Sequence, residues 1–139
     1  RMAPRVYSKL KLGRRNRESV LDILKRWEEL SVDNMDFLRN EVRFTMVTIP
    51  EALAVEQLED VFGELGRYGL KVRQLIINNV VKTEDSTFLL TRARQQKNYL
   101  ELIYDRYSDL QIVELPMFPY ELKGLDRLRE VERILFQPG

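Results

Sequence analysis

A chain of 139 residues is the size of one ordinary domain, or of half a larger one, and 44% hydrophobic with 32% charged residues fits a globular protein, with neither disorder nor a membrane span indicated. The 23 basic residues against 22 acidic ones leave a formal charge of +1, which argues against a protein built mainly to neutralise a nucleic-acid backbone, so no nucleic-acid partner is expected. Cysteine and histidine are both absent, which excludes disulfides, thiolate or imidazole metal sites, cysteine nucleophiles and histidine-based triads within this chain.

The sequence opens on Arg1 and not on methionine, which suggests a start inside a longer gene product, and with no secretory h-region the expected location is cytoplasmic. Lys9, Lys11, Arg14, Arg15 and Arg17 surround Gly13 in a loop or frayed start. From about Asn16, the residues Val20, Ile23, Leu24, Trp27 and Leu30 recur at helical spacing opposite Asp22, Lys25, Arg26, Glu28 and Glu29, predicting an amphipathic helix. Ser31 to Asn40 continues as a further helical turn or two, with Met35, Phe37 and Leu38 on its apolar side. That stripe with Trp27 suits either core or a groove for an apolar partner helix.

Val42 to Ile49 has the β-branched, nearly uncharged pattern of a strand covered on both faces, stopped by Pro50, which offers no N–H to a ladder. Leu53 to Tyr68 reads as a crossover helix closed by Gly69. Val72 to Ile77 is a second buried strand ended by Asn78-Asn79. Ser86 or Asp85 caps a helix through about Tyr107, with Leu89, Leu90, Ala93, Leu100, Ile103, Tyr104 and Tyr107 as its inward stripe. Leu110 to Leu115 is a third strand, Pro116-Met117-Phe118-Pro119 a rigid loop, and Gly124 opens a closing helix carrying Leu125, Leu128, Val131, Ile134 and Leu135. Right-handed crossovers then place all three strand ends on one edge of a parallel sheet, where α/β proteins bind ligands. No Gly-rich phosphate loop occurs, so the chain looks like the half of a nucleotide-binding fold that holds the base.

The strand-end argument singles out Glu51, Asn78, Asn79 and the Pro116 to Gly124 loop. An asparagine carboxamide presents an acceptor and donors side by side and so matches the N6 donor and adjacent ring-nitrogen acceptor of adenine, a task for which Asn78 is placed. The competing reading is that Asn-Asn simply ends a strand. Two prolines three residues apart hold a loop open so that its backbone polar groups face a planar base without prior ordering, with Phe118 as a stacking face; an ordinary proline-stiffened connection is the alternative. Glu51, opening a helix, most simply meets that helix's positive end. The basic run from Lys9 to Arg17 reads as a solvated surface or a phosphate contact, and no pair of carboxylates has spacing for general acid and base roles.

Four segments taken together, Val47-Thr48-Ile49-Pro50-Glu51, Ile76-Ile77-Asn78-Asn79, Arg92 to Leu100 and Leu115 to Gly124, resemble in order and spacing the C-terminal part of the ArsA-type ATPases. That family includes arsenite-pump ATPases and targeting ATPases for tail-anchored membrane proteins. The resemblance implies α/β architecture, the C-terminal half of a deviant P-loop NTPase fold, with residues 1–43 as a basic start and part of a helical subdomain and residues 44–139 as the α/β part carrying the adenine-binding edge. It implies ATP or ADP as the bound nucleotide, with Asn78 contacting adenine, Glu51 contacting the nucleotide, and Pro116, Met117, Phe118, Pro119, Tyr120, Glu121, Leu122 and Lys123 forming the loop around the base. The role of Asn79 stays open. In the family the Gly-rich loop, the magnesium-binding threonine and the switch aspartates lie upstream, so this chain alone is expected to hold no catalytic residue, to meet magnesium only with the missing half, and to be inactive. The stretch from about Glu84 to Arg94 lacks the Cys-x-x-Cys pair with which many relatives bind an interface zinc, so no metal ligands are expected. The implied partners are a second copy of the protein and either a membrane-protein cargo or a pump subunit. A non-enzymatic binding module and a nucleic-acid binder using Arg92, Arg94 and Lys97 are the rival readings.

Overall fold

The computed structural model describes residues 19–83 and 85–136. The basic run from Lys9 to Arg17, the expected helix start near Asn16, and Glu84 lie outside them. By its contacts the chain divides into two compact units, Arg1–Phe37 and Leu38–Gly139.

The described part of the first unit is helix α1, Val20–Asn40, whose last turn belongs to the second unit. The expected continuation through Ser31 to Asn40 belongs to the same unbroken helix. Ser19 Oγ accepts from Leu21 N–H and Asp22 sits in the first turn, where a carboxylate meets the positive helix end. None of its residues is buried, and Trp27 is 64% exposed.

The second unit alternates strands and helices: β1 Phe44–Thr48, α2 Ala52–Arg67, β2 Val72–Val80, α3 Thr87–Arg106, β3 Gln111–Pro116 and α4 Leu125–Phe136. The strands form one parallel sheet in the order β1-β2-β3, so the α/β expectation holds. Thr48 lies opposite Ile77, and Val80 opposite Pro116. Because the strands are parallel, all three end on one edge of the sheet.

Successive residues of a strand point to opposite faces. On one face Leu75 and Ile77 are wholly buried and join Val55 and Leu58 of α2 and Ile103 of α3 in the core, with Met46 and Ile112 packed against it. Phe62 of α2 stacks on Tyr107 at the end of α3, centroids 4.7 Å apart. On the other face Thr45, Gln74 and Val113 line a cavity beside Ile134 and Leu135 of α4. This corrects the expectation that β1 is covered on both faces: Thr45 is exposed and Val47 is 60% exposed, because β1 is an edge strand at the side of the sheet away from α4.

Local signals explain the ends of the elements. Gly69 at φ +72° closes α2, its N–H donating to Gly66 O at 2.9 Å while Leu70 N–H donates to Leu65 O at 2.9 Å. Ser86 caps α3, its Oγ accepting from Leu89 N–H at 3.2 Å. Among the described residues no helix is long and apolar enough to cross a membrane.

Candidate functional site

The second strand does not stop at Ile77 as expected. Its pairing with β3 shifts between Ile77 and Val80, and in that irregularity Asn79 adopts φ +58°, a left-handed conformation that asparagine tolerates better than most residues. The strand then resumes at Val80, whose carbonyl accepts from Met117 N–H at 2.9 Å. That bond ties the start of the proline loop to the end of β2.

Inside the irregularity, Asn79 N–H donates to Asn78 Oδ1 at 2.9 Å. The bond orients the Asn78 carboxamide, since only its oxygen can accept, and leaves both Nδ2 protons and one Oδ1 lone pair for another molecule. Asn78 lines a cavity of about 310 Å³ with Met46, Thr48, Ile49 and Leu58.

Glu51 precedes α2 with an extended backbone, but its side chain makes no capping hydrogen bond. Its Oε1 instead accepts from Arg92 Nη2 of α3 at 2.6 Å, so a guanidinium and not the helix end is its partner. Glu51 and Arg92 line a different cavity, about 530 Å³, with Gln95, Asn98 and Tyr99. The sheet edge therefore gathers the backbones after β1 and β2, while the side chains of Glu51 and Asn78 face separate cavities.

The loop after β3 is held from below by α4. Tyr120 donates to the Glu130 carboxylate at 2.9 Å, and Arg127 lies over its ring with Cζ 3.7 Å from the centroid. The hydrogen bond to Glu130 is the main cause that raises the Tyr120 hydroxyl above its ordinary pKa. Phe118 is half-buried, its ring tilted against Tyr120 with centroids 5.7 Å apart. Pro116 closes β3, Lys123 N–H donates to Glu121 O at 3.0 Å, and Met117, Pro119, Glu121, Leu122 and Lys123 are exposed. None of these loop residues lines the two cavities that hold Glu51 and Asn78.

Two further groups escaped the reading of the sequence. Gln96 of α3 is only 3% exposed; its Oε1 accepts from Val81 N–H at 2.8 Å and its Nε2 donates to Asn79 O at 3.0 Å. The signal was available, because Gln96 stands in the apolar stripe Ala93, Leu100, Ile103, Tyr107, where a carboxamide must find buried partners. Glu114 of β3 pairs with Lys82 and accepts from the Tyr104 hydroxyl at 2.9 Å. Burial first, then that bond and the carboxylate's negative charge, push Tyr104 up to about 12. Among the described residues no three His, Cys, Asp or Glu side chains are grouped to hold a metal ion.

Residues 1–137 match the family model described as anion-transporting ATPase. The chain is 32% identical over 101 residues to "ATPase ASNA1 homolog 1" of Paramecium tetraurelia, covering 72% of this chain and 31% of that relative. It is 29% identical over 134 residues to "ATPase GET3" of Komagataella phaffii, covering 91% of this chain and 39% of that relative. It is 32% identical over 98 residues to "ATPase ARSA2" of Chlamydomonas reinhardtii, covering 68% of this chain and 27% of that relative. The chain thus spans less than half the length of these curated relatives.

Proposed function

The chain belongs to the anion-transporting ATPase family, and from that premise we propose that it is the C-terminal, adenine-nucleotide-binding portion of an ATPase of this kind. The observation that carries the reading is the carboxamide of Asn78: Asn79 N–H fixes it at the C-terminal edge of a parallel sheet, with donors and an acceptor lone pair unspent beside a cavity. Adenine offers the complementary pair, a ring nitrogen to accept from Nδ2 and an N6 proton to give to Oδ1.

The loop of Pro116, Met117, Phe118, Pro119, Tyr120, Glu121, Leu122 and Lys123 surrounds the base in this proposal. Its anchorage to α4 through Tyr120 supports that role, because a loop already ordered loses little entropy when a ligand arrives. Glu51 acts on the nucleotide through its pair with Arg92. ATP or ADP is the nucleotide; phosphate handling, magnesium and the chemistry of hydrolysis are supplied from outside these 139 residues. In the intact protein, a cytoplasmic homodimer on this reading, hydrolysis drives targeting of a tail-anchored membrane protein or transport of an anion, as the description of the family and the resemblance of the motifs suggest.

Titration calorimetry of ATP and GTP on the full-length protein tests the proposal. Asn78→Ala should weaken ATP by about 1–3 kcal/mol, the cost of leaving a buried hydrogen-bonding group unmatched, and should weaken GTP less. Unchanged binding of both nucleotides contradicts the assignment.

A further inference from the structure

We propose that Gln96 is the positioning residue of the base-recognition edge, holding Asn78 in its reading orientation through the backbone conformation of Asn79; the inference rests on the adenine role of Asn78. The chain of contacts is continuous. Gln96 Nε2 donates to Asn79 O at 3.0 Å and Gln96 Oε1 accepts from Val81 N–H at 2.8 Å, so one carboxamide holds the backbone on either side of Val80, from inside the irregularity to just past the strand end. The same Asn79 residue donates its N–H to Asn78 Oδ1 at 2.9 Å. Asn79 at φ +58° has no partner in the regular register, and the Gln96 side chain supplies the bonds that the interrupted ladder leaves unmade. At 3% exposure the Gln96 side chain itself is shielded from solvent, which strengthens its bonds and ties the strand end to α3.

The placement has a consequence for coupling. Arg92 stands one helical turn before Gln96 and reaches Glu51, so a single face of α3 grips the end of β1 and the end of β2 together. Glu51 and Asn78 face separate cavities, and a displacement of α3 would move both at once. Gln96 therefore acts on selectivity for the base without touching it.

A purely structural glutamine and a positioning one differ in what they change. Gln96→Met keeps the volume and removes both hydrogen bonds. In the full-length protein the positioning role predicts that Gln96→Met lowers the ATP-over-GTP affinity ratio roughly five- to tenfold, the scale of one buried hydrogen bond. It also predicts that Gln96→Met adds little further loss to Asn78→Ala, because the first acts through the second. If Gln96→Met does not fold, Gln96→Glu decides the matter: at a pH high enough to ionise its carboxyl it keeps the acceptor for Val81 N–H, loses the donor to Asn79 O and should lower the ratio in the same sense. Equal weakening of ATP and GTP, or losses that sum in the double variant, overturns the positioning role while the adenine reading stands. An unchanged ratio in Asn78→Ala removes the adenine reading and this inference with it.

Discussion

Where the three strands end, a buried glutamine bonded through both its carboxamide atoms lies behind a half-buried asparagine that keeps donors free beside a small cavity; where they begin, a larger space is left open. The C-terminal edge carries Gln96 bonded to Asn79 and Val81, Asn78 oriented by its neighbour's N–H, and a loop pinned by Tyr120. The cavity near the strand starts is about 770 Å³, larger than either cavity at the ends, and is lined by exposed Arg43 and Arg73 with Phe44, Gln111 and Phe136. Volume there reflects partial coverage: α4 lies beside β3 and leaves the β1 side of that face bare, as the exposed Val47 shows. Recognition depends less on volume than on polar groups aimed before the ligand arrives, and the smaller cavities have them.

The contrast can be broken most forcefully through the core beneath the strand ends. Ile77 is wholly buried and directly precedes Asn78, so Ile77→Ala should lower the unfolding free energy by about 2–5 kcal/mol in a urea titration. Ile134→Ala, half-buried beside the open cavity, should lose only about 1 kcal/mol. Equal losses would mean that the two ends are supported alike.

Backbone conformation sharpens the same contrast at a smaller scale. Asn79→Val places a β-branched residue at φ +58° and should cost about 1–2 kcal/mol of stability. Arg73→Ala at the opposite edge should stay within about 0.5 kcal/mol.

The smallest expected effect concerns the Tyr104–Glu114 bond. Tyr104→Phe should cost about 0.5–1 kcal/mol, since one hydrogen bond is lost at a partly exposed site. Its pH signature is distinctive. The hydroxyl is raised from 10.0 to about 12, so its contribution to stability is present below pH 10.0 and disappears as pH rises through about 12. Tyr104→Phe should remove that part of the alkaline loss in denaturant midpoint and delete the latest-titrating component of the phenolate absorbance.

Most of the fold was legible because its signals are local. Apolar periodicity marked α2, α3 and α4, Gly69 and Ser86 marked the ends they cap, and strand-helix alternation implied a parallel sheet. The coverage of β1 is not legible, because an apolar, uncharged strand looks the same whether its second face meets a helix or open space. Asn78-Asn79 suggests a strand end because asparagines favour left-handed turns; the structure uses that preference within the strand, where Gln96 restores a missing bond. The pairs Glu51–Arg92 and Glu114–Lys82 join residues far apart in sequence, and no spacing rule reaches across such separations.

The central claim, that adenine is read where the strands end, is tested most directly by amide and side-chain NMR of the protein titrated with ATP. The account predicts that the Asn78 side-chain amide and the backbone amides of Asn79, Met117 and Phe118 shift together, with a nuclear Overhauser contact from an adenine ring proton to Asn78. Shifts confined to Arg43, Arg73 and Phe136, with Asn78 unmoved, would contradict it.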